Sequence, residues 1–507
     1  MYGVGLVPDS GFQDHGNRPE TIHDLLGLVS NCLGFPSDME GSPASPLDYL
    51  PVDIQQQLLR QFLLDWPAAI SSRDWSRIFS DSARNKRRSP LENLPAEIRR
   101  EVLLLLDFRE LLALVNASPV FHEQYLADHK SVMCSWLQRA LGDAAIEARA
   151  VHQAGIVGSL DPDSPEWPDV LRRFLDTYRA RSSRVQSDRV IPFAALPKHE
   201  VKYLIFFHLN VILPLSRRFT SWASMNLAKM AKTEYYAPLL SRAEETRVVR
   251  ALYRFQLCCC LFGRATCGDD EGSDWGNRVP LSMTGFFDTM EPWEIEEVAC
   301  ICDWIMEEYE YVFRAIQWDV HPDNPRFKDQ GGTNTSDGSF DLENEEHRSD
   351  LLVGTLACGL EPLEKVLFRT QTHDDLVATM QTYVGDNGSF DPVCCWWKEP
   401  QQAKREAEIS SGQRLQQRPR DHSPVQWSDD VVKVESGSPN FAWTFLWNNT
   451  YSNLYGEFIP NNLTHWGYVM WDFSRLVRMG AMSVLDRKWL ELHRGGDPRG
   501  HPGVPPL

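Results

Sequence analysis

The chain has 507 residues, with 70 acidic side chains against 51 Lys and Arg side chains, so its formal net charge is −19. This balance argues against nucleic acid as the main ligand, because nucleic-acid-binding proteins carry a basic face. The best candidate for a membrane span, residues 203–213, is short and contains His208 and Asn210. It predicts a buried helix and no membrane association, since a spanning helix needs about 20 apolar residues.

The cysteines predict a reducing compartment. Their number is 11, which is odd, and they include one adjacent pair and one triplet, Cys258 to Cys260, which does not resemble a disulfide framework. Consecutive helical positions point in different directions, so the triplet predicts buried small side chains rather than a zinc site. The first residues include Asp9 and Asp14 and lack the apolar core of a signal peptide. We therefore expect a cytoplasmic or nuclear protein, or both, with free thiols.

The first 88 residues are expected to contain little packed structure. Residues 1–45 are rich in Gly, Pro, Ser and Asp and are expected to be disordered. Residues 46–88 predict one short amphipathic helix followed by a basic linker. The basic run at residues 84–88 is either a nuclear localisation signal or a solvated linker.

Residues 91–121 carry the most specific pattern of the chain. Asn93 is a good helix N-cap, with Pro95 in the first turn of the helix that follows. The apolar residues of that helix recur at spacings of four, four and three, which places them on one face. They are Leu94, Ile98, Val102 and Leu105.

Two further helix boundaries follow in the same stretch. Asp107 and Glu110 are three residues apart and predict the capping box of a second helix. Ser118 stands before Pro119, and a residue before proline is disfavoured in the α conformation. The second helix is therefore predicted to end there and a third to begin.

This pattern resembles the F-box, a three-helix module that docks onto the Skp adaptor of Skp–cullin–F-box ubiquitin ligases. The match runs without a gap through Leu94, Pro95, Glu97, Ile98, Val102, Leu103, Leu106, Asp107, Leu111, Leu112 and Leu114. Ala117, Ser118 and Phe121 stand where the family usually has Val, Ser and Trp. The F-box would occupy residues 89–140, about a tenth of the chain. Residues 117–126, 251–263 and 293–303 also resemble F-box-like proteins of filamentous fungi.

The resemblance implies a protein that acts by interaction. The residues that would bind the adaptor are Leu94, Pro95, Ile98, Val102, Leu106, Leu111, Leu114, Ser118 and Phe121. Of these, Leu94, Pro95, Ile98 and Phe121 are expected to be partly exposed in the free chain. The remaining helical part would hold a protein substrate for ubiquitin transfer.

Two other function classes remain open. Amphipathic helices with leucine stripes are often an ordinary core, so the chain could be a helical scaffold whose F-box does not bind the adaptor. An enzyme is the third class, although the sequence has no nucleophile elbow, Walker loop, kinase motifs, zinc-protease motif or dinucleotide fingerprint. We therefore assign no catalytic, cofactor-binding or metal-binding residue.

The predicted fold class is all-α. Ser241 and Glu244 predict a capping box for a helix that ends near Gly263, and Glu291 and Pro292 predict the start of another that ends near Gln317. The predicted segments after the F-box are a helical domain (141–318), a disordered acidic insertion (319–349), helices (350–384), a loop insertion (385–440), an aromatic-rich helical segment (441–494) and a disordered tail (495–507).

The aromatic-rich segment at 441–494 is interpreted as core. Its aromatic side chains either seal a core or form a recognition surface, and large aromatic residues are more often buried. Thr464 is predicted to cap a helix, and the face of that helix would contain Trp466, Val469, Met470, Phe473 and Leu476. We expect this segment to pack against the central helices.

Overall fold

The computed structural model describes residues 89–158, 160, 164–182, 193–234, 239–263, 285–330, 339–385, 425–435, 437–452 and 456–494. Within these ranges the chain is helical and forms no β-strand, which confirms the all-α class. It divides into two compact units, Met1–Trp136 and Leu137–Leu507. The predictions for residues 1–88 and 495–507 lie outside the described residues.

The described part of the first unit contains α1 (Ala96–Leu105), α2 (Phe108–Ala117) and most of α3 (Pro119–Leu141), which continues past Trp136. The Asp107–Glu110 capping box at the start of α2 is confirmed, because each side chain accepts from the other residue's backbone N–H. The end of α2 at Ser118 and the start of α3 at Pro119 are also confirmed. The N-cap prediction is wrong, because Pro95, not Asn93, precedes the first helical residue. A proline disfavours the α conformation in the residue before it, so the helix begins after Pro95.

The described helices of the second unit are α4 (Ala145–Val157), α5 (Trp167–Ser182), α6 (Lys198–Phe207), α7 (Leu213–Ala231), α8 (Arg242–Phe262), α9 (Pro292–Ile316), α10 (Glu345–Ala357), α11 (Leu360–Phe368), α12 (His373–Gly385), α13 (Val431–Glu435), α14 (Phe441–Leu446), α15 (Asn461–Thr464), α16 (Phe473–Arg478) and α17 (Ala481–Leu492). A π-helical turn, His208–Ile212, joins α6 to α7. Helices α8 and α9 form the centre, since most of their side chains are buried.

The predicted boundaries of the two central helices are confirmed. Capping boxes at Ser241 and Glu291 open α8 and α9, and α9 ends at Ile316. Helix α8 ends before Gly263, where an added Cβ would lie 2.4 Å from the carbonyl oxygen of Ala357. Glycine is required there by the close approach of the carboxyl end of α10.

Residues 319–330 and 339–349 are ordered against the core, although the sequence predicted a disordered insertion there. Val320, Phe340 and Leu342 are buried, and the Phe340 N–H donates to the Val320 carbonyl at 2.7 Å. Residues 331–338 lie outside the described residues. The prediction is therefore corrected for the described parts, because a few apolar side chains anchor this acidic stretch to the core.

The end of the predicted loop insertion also packs. Helix α13 lies within it, Val434 is fully buried, and the Ser428 N–H donates to the Pro439 carbonyl at 3.1 Å. Residues 386–424 lie outside the described residues. The described residues from 425 onward therefore belong to the helical core, which corrects the predicted boundary at 440.

The aromatic-rich segment packs on the central helices, as predicted. The rings of Trp443 and Trp293 lie 5.0 Å apart, and the Thr464 hydroxyl donates to Asp303. The single long helix predicted after Thr464 is wrong. Thr464 ends α15, and Gly467 has a φ of +63°, a left-handed conformation that breaks the helix before α16 begins at Phe473.

None of the described helices combines the length and the apolar character that crossing a membrane requires.

Candidate functional site

The first candidate site is an apolar surface on α1. Among the ten residues of this helix only Leu103 is buried. The exposed fractions of Ile98 and Leu105, which are seven positions apart, are 48% and 74%. Leu91 before the helix and Leu126 on α3 are also exposed. Exposed apolar residues at helical spacing mark a surface that another protein could cover.

The structure places the nine predicted adaptor-binding residues at three levels of burial. Pro95 and Ile98 are exposed; Leu94, Val102, Leu106 and Leu114 are half-buried; Leu111, Ser118 and Phe121 are buried. The expected exposure is confirmed for Leu94, Pro95 and Ile98. It is wrong for Phe121, whose exposed fraction is 0%. Phe121 lies in the first turn of α3 and is part of the core of its own unit.

Ser118 positions the segment that leads into α1. Its hydroxyl donates to Glu92 Oε1 at 2.7 Å, and Glu92 Oε2 accepts the Ser89 N–H at 3.0 Å. Arg99 Nη1 donates to the Leu94 carbonyl at 2.6 Å. These contacts hold Leu94 and Pro95 at the start of the helix. Glu92 and Arg99 were missed by the sequence reasoning, because nothing in the local pattern shows which partner each would find.

Burial is the main cause of the pKa shifts of the titratable groups near this surface. Burial lowers the pKa of His122 and raises the pKa of Tyr125 and of the Cys134 thiol. These three groups all lie on α3. Such shifts favour the uncharged forms, which suits packing and association rather than proton transfer at neutral pH.

The second candidate is a network of buried charges along α8. Arg247, Arg250 and Arg254 are spaced by three and four residues, so they share one face of the helix. All three are nearly fully buried. Their acidic partners come from α4, α9 and the aromatic-rich segment, so one helix face pairs with several distant parts of the chain.

Each of these arginines has a close carboxylate. Arg247 lies 2.7 Å from Asp472 and Arg250 lies 2.9 Å from Glu297. Arg254 lies 3.1 Å from Glu147 and 3.2 Å from Glu294. Buried charges are tolerated only when paired and hydrogen-bonded, and these are. The network therefore joins helices together.

Burial and ion pairing act in opposite directions on the pKa values of the network. Burial raises the pKa of Glu297, and the Arg250 charge opposes that shift. Burial also acts to lower the pKa of Arg250, but the Glu297 and Glu294 carboxylates outweigh it and raise the pKa. Arg250 stays charged, which fits a structural role better than a catalytic one.

The sequence contained a signal for this network. Arg250 and Arg254 in α8 pair with Glu294 and Glu297, which are themselves three residues apart in α9. The sequence analysis predicted the ends of α8 but assigned no role to these arginines. The arginines were missed because charged residues are expected on a solvated face.

The cysteine triplet lies at the end of α8. Cys258 and Cys259 are buried, as predicted, and burial raises the pKa of both thiols, whereas Cys260 is half-buried and differs from the prediction. The Cys259 thiol donates to the Leu356 carbonyl at 3.4 Å. Among the described residues, no group of His, Cys, Asp and Glu has a geometry that could hold a metal ion.

No protein-family model, curated protein or solved structure matches this chain.

Proposed function

We propose that this chain is an F-box protein and serves, in the cytoplasm, the nucleus or both, as the substrate-recruiting subunit of a Skp–cullin–F-box ubiquitin ligase. The observation that carries the proposal is the apolar surface of α1, where Ile98 and Leu105 remain largely exposed. Water-exposed apolar side chains at helical spacing gain free energy when a partner covers them. The gap-free resemblance from Leu94 to Leu114 supports the Skp adaptor as that partner.

The proposed mechanism is proximity. The adaptor would hold the first unit through α1, and the second unit would hold a protein substrate. Tethering raises the effective concentration of the substrate near the ubiquitin-carrying enzyme. The chain itself needs no catalytic residue, cofactor or metal for this role.

The energy of docking would come from a few apolar anchors. Fully burying one such side chain contributes roughly 1.5–3 kcal/mol. Leu94, Pro95, Ile98 and Leu105 are exposed or half-buried in the free chain, so each retains surface to bury. Leu111, Ser118 and Phe121 are already buried and would act by supporting the three helices.

The proposal is tested by titrating the purified chain with purified adaptor. We expect Leu94→Ala combined with Pro95→Ala, and separately Ile98→Asp, to weaken binding at least tenfold, since about 1.4 kcal/mol corresponds to one decade. Leu490→Asp is the matched control, because Leu490 is an exposed leucine on α17 of the other unit. Equal affinities for the wild type and all variants would contradict the proposal.

A helical scaffold with a degenerate F-box is the second candidate, and one observation favours it. Phe121, which replaces the family's usual tryptophan anchor, is fully buried and cannot reach a partner without rearrangement. This alternative predicts that well-folded wild-type chain does not bind the adaptor.

A further inference from the structure

A second exposed surface lies at the carboxyl end of α9 in the Leu137–Leu507 unit. Most of α9 is buried, yet Tyr311 retains 74% of its exposure and Trp318, just beyond the helix, retains 58%. Tyr311 lies in the last two turns of α9, and Trp318 lies two residues beyond its end. Tyr and Trp are the side chains most enriched at the energetic centres of protein interfaces.

Trp318 is held in a defined position. Its ring stacks on the His321 ring, with centroids 5.7 Å apart and an angle of 19° between the planes. The Asn324 side chain donates to the Trp318 carbonyl at 2.9 Å. A pre-positioned ring loses less conformational entropy when a partner binds.

Carboxylates surround this ring pair. Asp323 and Asp341 lie 4.0 Å and 3.9 Å from the two nitrogens of His321. Asp319 follows Trp318 directly and lies 2.8 Å from His373 Nε2. The Asp323 side chain is largely exposed and the Asp341 side chain is partly exposed, so both remain accessible to a partner.

Two arginines share the carboxylate of Glu310, the residue that precedes Tyr311. Arg314 and Arg348 lie 3.4 Å and 3.6 Å from the two oxygens of Glu310. Glu307, one turn before Tyr311, is exposed as well. The aromatic side chains are therefore bordered by negative charge on a chain whose net charge is −19.

We propose that the α9 surface, defined by Tyr311, Trp318, Asp319, Asp323 and Asp341, binds a segment of a partner protein that carries lysine or arginine side chains. Charge complementarity selects this occupant. A cation over the face of Trp or Tyr contributes about 0.5–2 kcal/mol, and the neighbouring carboxylates attract the same side chain. An acidic or purely apolar segment would gain neither interaction.

This interaction goes beyond the proposed function and does not depend on the adaptor. In a ligase it would hold a substrate with a basic segment, whereas in a scaffold it would hold any partner of that chemistry. Adaptor binding and peptide binding are measured separately, so the failure of one leaves the other standing.

The test is fluorescence anisotropy of the full chain with a short labelled peptide of alternating Lys, Arg, Gly and Ser. A second peptide has Gln in place of every Lys and Arg. We expect the wild type to bind only the basic peptide. Tyr311→Ala combined with Trp318→Ala should weaken that binding at least tenfold, and Asp323→Asn with Asp341→Asn should weaken it severalfold.

The control for charge is Asp486→Asn with Glu491→Gln, which removes two exposed carboxylates from α17. Unchanged binding by this variant supports the proposal; an equal loss in both acidic variants would show general charge attraction and overturn it. Circular dichroism checks that each variant is folded.

Two further outcomes would also overturn the proposal. Binding that emerges only after Arg84, Lys86, Arg87 and Arg88 are replaced by Ser would show that the chain's own basic run occupies the surface. Self-association of the wild type that disappears in Trp318→Ala would instead identify a second copy as the occupant.

Discussion

The Arg247 guanidinium donates to the Asp472 carboxylate at 2.7 Å, although the two residues are 225 positions apart in the chain. The same guanidinium lies 3.3 Å from Asp429. This one side chain therefore joins α8 both to the stretch before α13 and to the residue that precedes α16. It explains why the aromatic-rich segment belongs to the same core as the central helices.

Arg247→Met is expected to lower the free energy of unfolding of the second unit by about 3–5 kcal/mol, because it leaves buried carboxylates without their cation. The matched control is Arg314→Met, which removes an exposed arginine paired with Glu310. That control should change stability by about 1 kcal/mol or less. Denaturant unfolding measures both, and equal effects would show that the Arg247 pair is not buried in solution.

Two neighbouring leucines of α1 should respond in opposite ways. Leu103→Ala removes a fully buried side chain and should cost about 2–5 kcal/mol through the cavity that it leaves. Leu105→Ala changes an exposed position and should cost about 0.5 kcal/mol or less. Hydrogen exchange of the α2 and α3 amides measures the opening free energy of this unit. A large cost for Leu105→Ala would contradict its exposure.

Phe121→Trp is expected to destabilise the first unit by about 1–3 kcal/mol, because a larger ring must enter a filled core. The family resemblance taken alone predicts a different result, namely tighter adaptor binding. Hydrogen exchange of α3 together with an adaptor titration separates the two. A variant that binds more tightly without loss of stability would show that position 121 faces the adaptor.

Local signals were enough to predict where several helices begin and end. The capping boxes at Asp107, Ser241 and Glu291 depend on residues three positions apart, so they are visible in the sequence. The burial of Phe121 was not predictable in this way. It depends on how α3 packs in three dimensions, and the same apolar spacing suits either a core or a docking face.

The burial of the charges on α8 was not predictable from local signals either. The spacing of Arg247, Arg250 and Arg254 is visible in the sequence, but their partners lie on other helices, such as Glu147 on α4. No spacing rule connects residues so far apart along the chain. The sequence analysis therefore did not single these charges out, whereas the fold encloses them.

Stability should depend on pH through His208, which lies in the π-helical turn 3.2 Å from the Tyr253 hydroxyl. Burial lowers the pKa of His208 from 6.5 to about 3. Between these values the unfolded chain binds a proton that the folded chain does not, so stability falls as the pH falls through this window. The titration of His208 contributes up to ~1.4 kcal/mol per pH unit to the slope of the unfolding free energy in this window.

His208→Leu should flatten this part of the dependence of unfolding free energy on pH. Tyr253→Phe is the control, because it removes the contact with the hydroxyl but keeps the imidazole, and its slope should match that of the wild type. Denaturant unfolding at several pH values below 6.5 gives the slopes. Identical slopes for wild type and His208→Leu would show that His208 is protonated normally in the folded chain.

The central claim is that the adaptor covers the apolar surface of α1. Hydroxyl-radical footprinting read by mass spectrometry tests it directly, with the chain alone and at saturating adaptor. We expect oxidation of Ile98 and Leu105 to slow severalfold in the complex, while Leu490 and Tyr311, exposed in the other unit, react at the same rate. Equal oxidation of Ile98 and Leu105 with and without adaptor would contradict the claim.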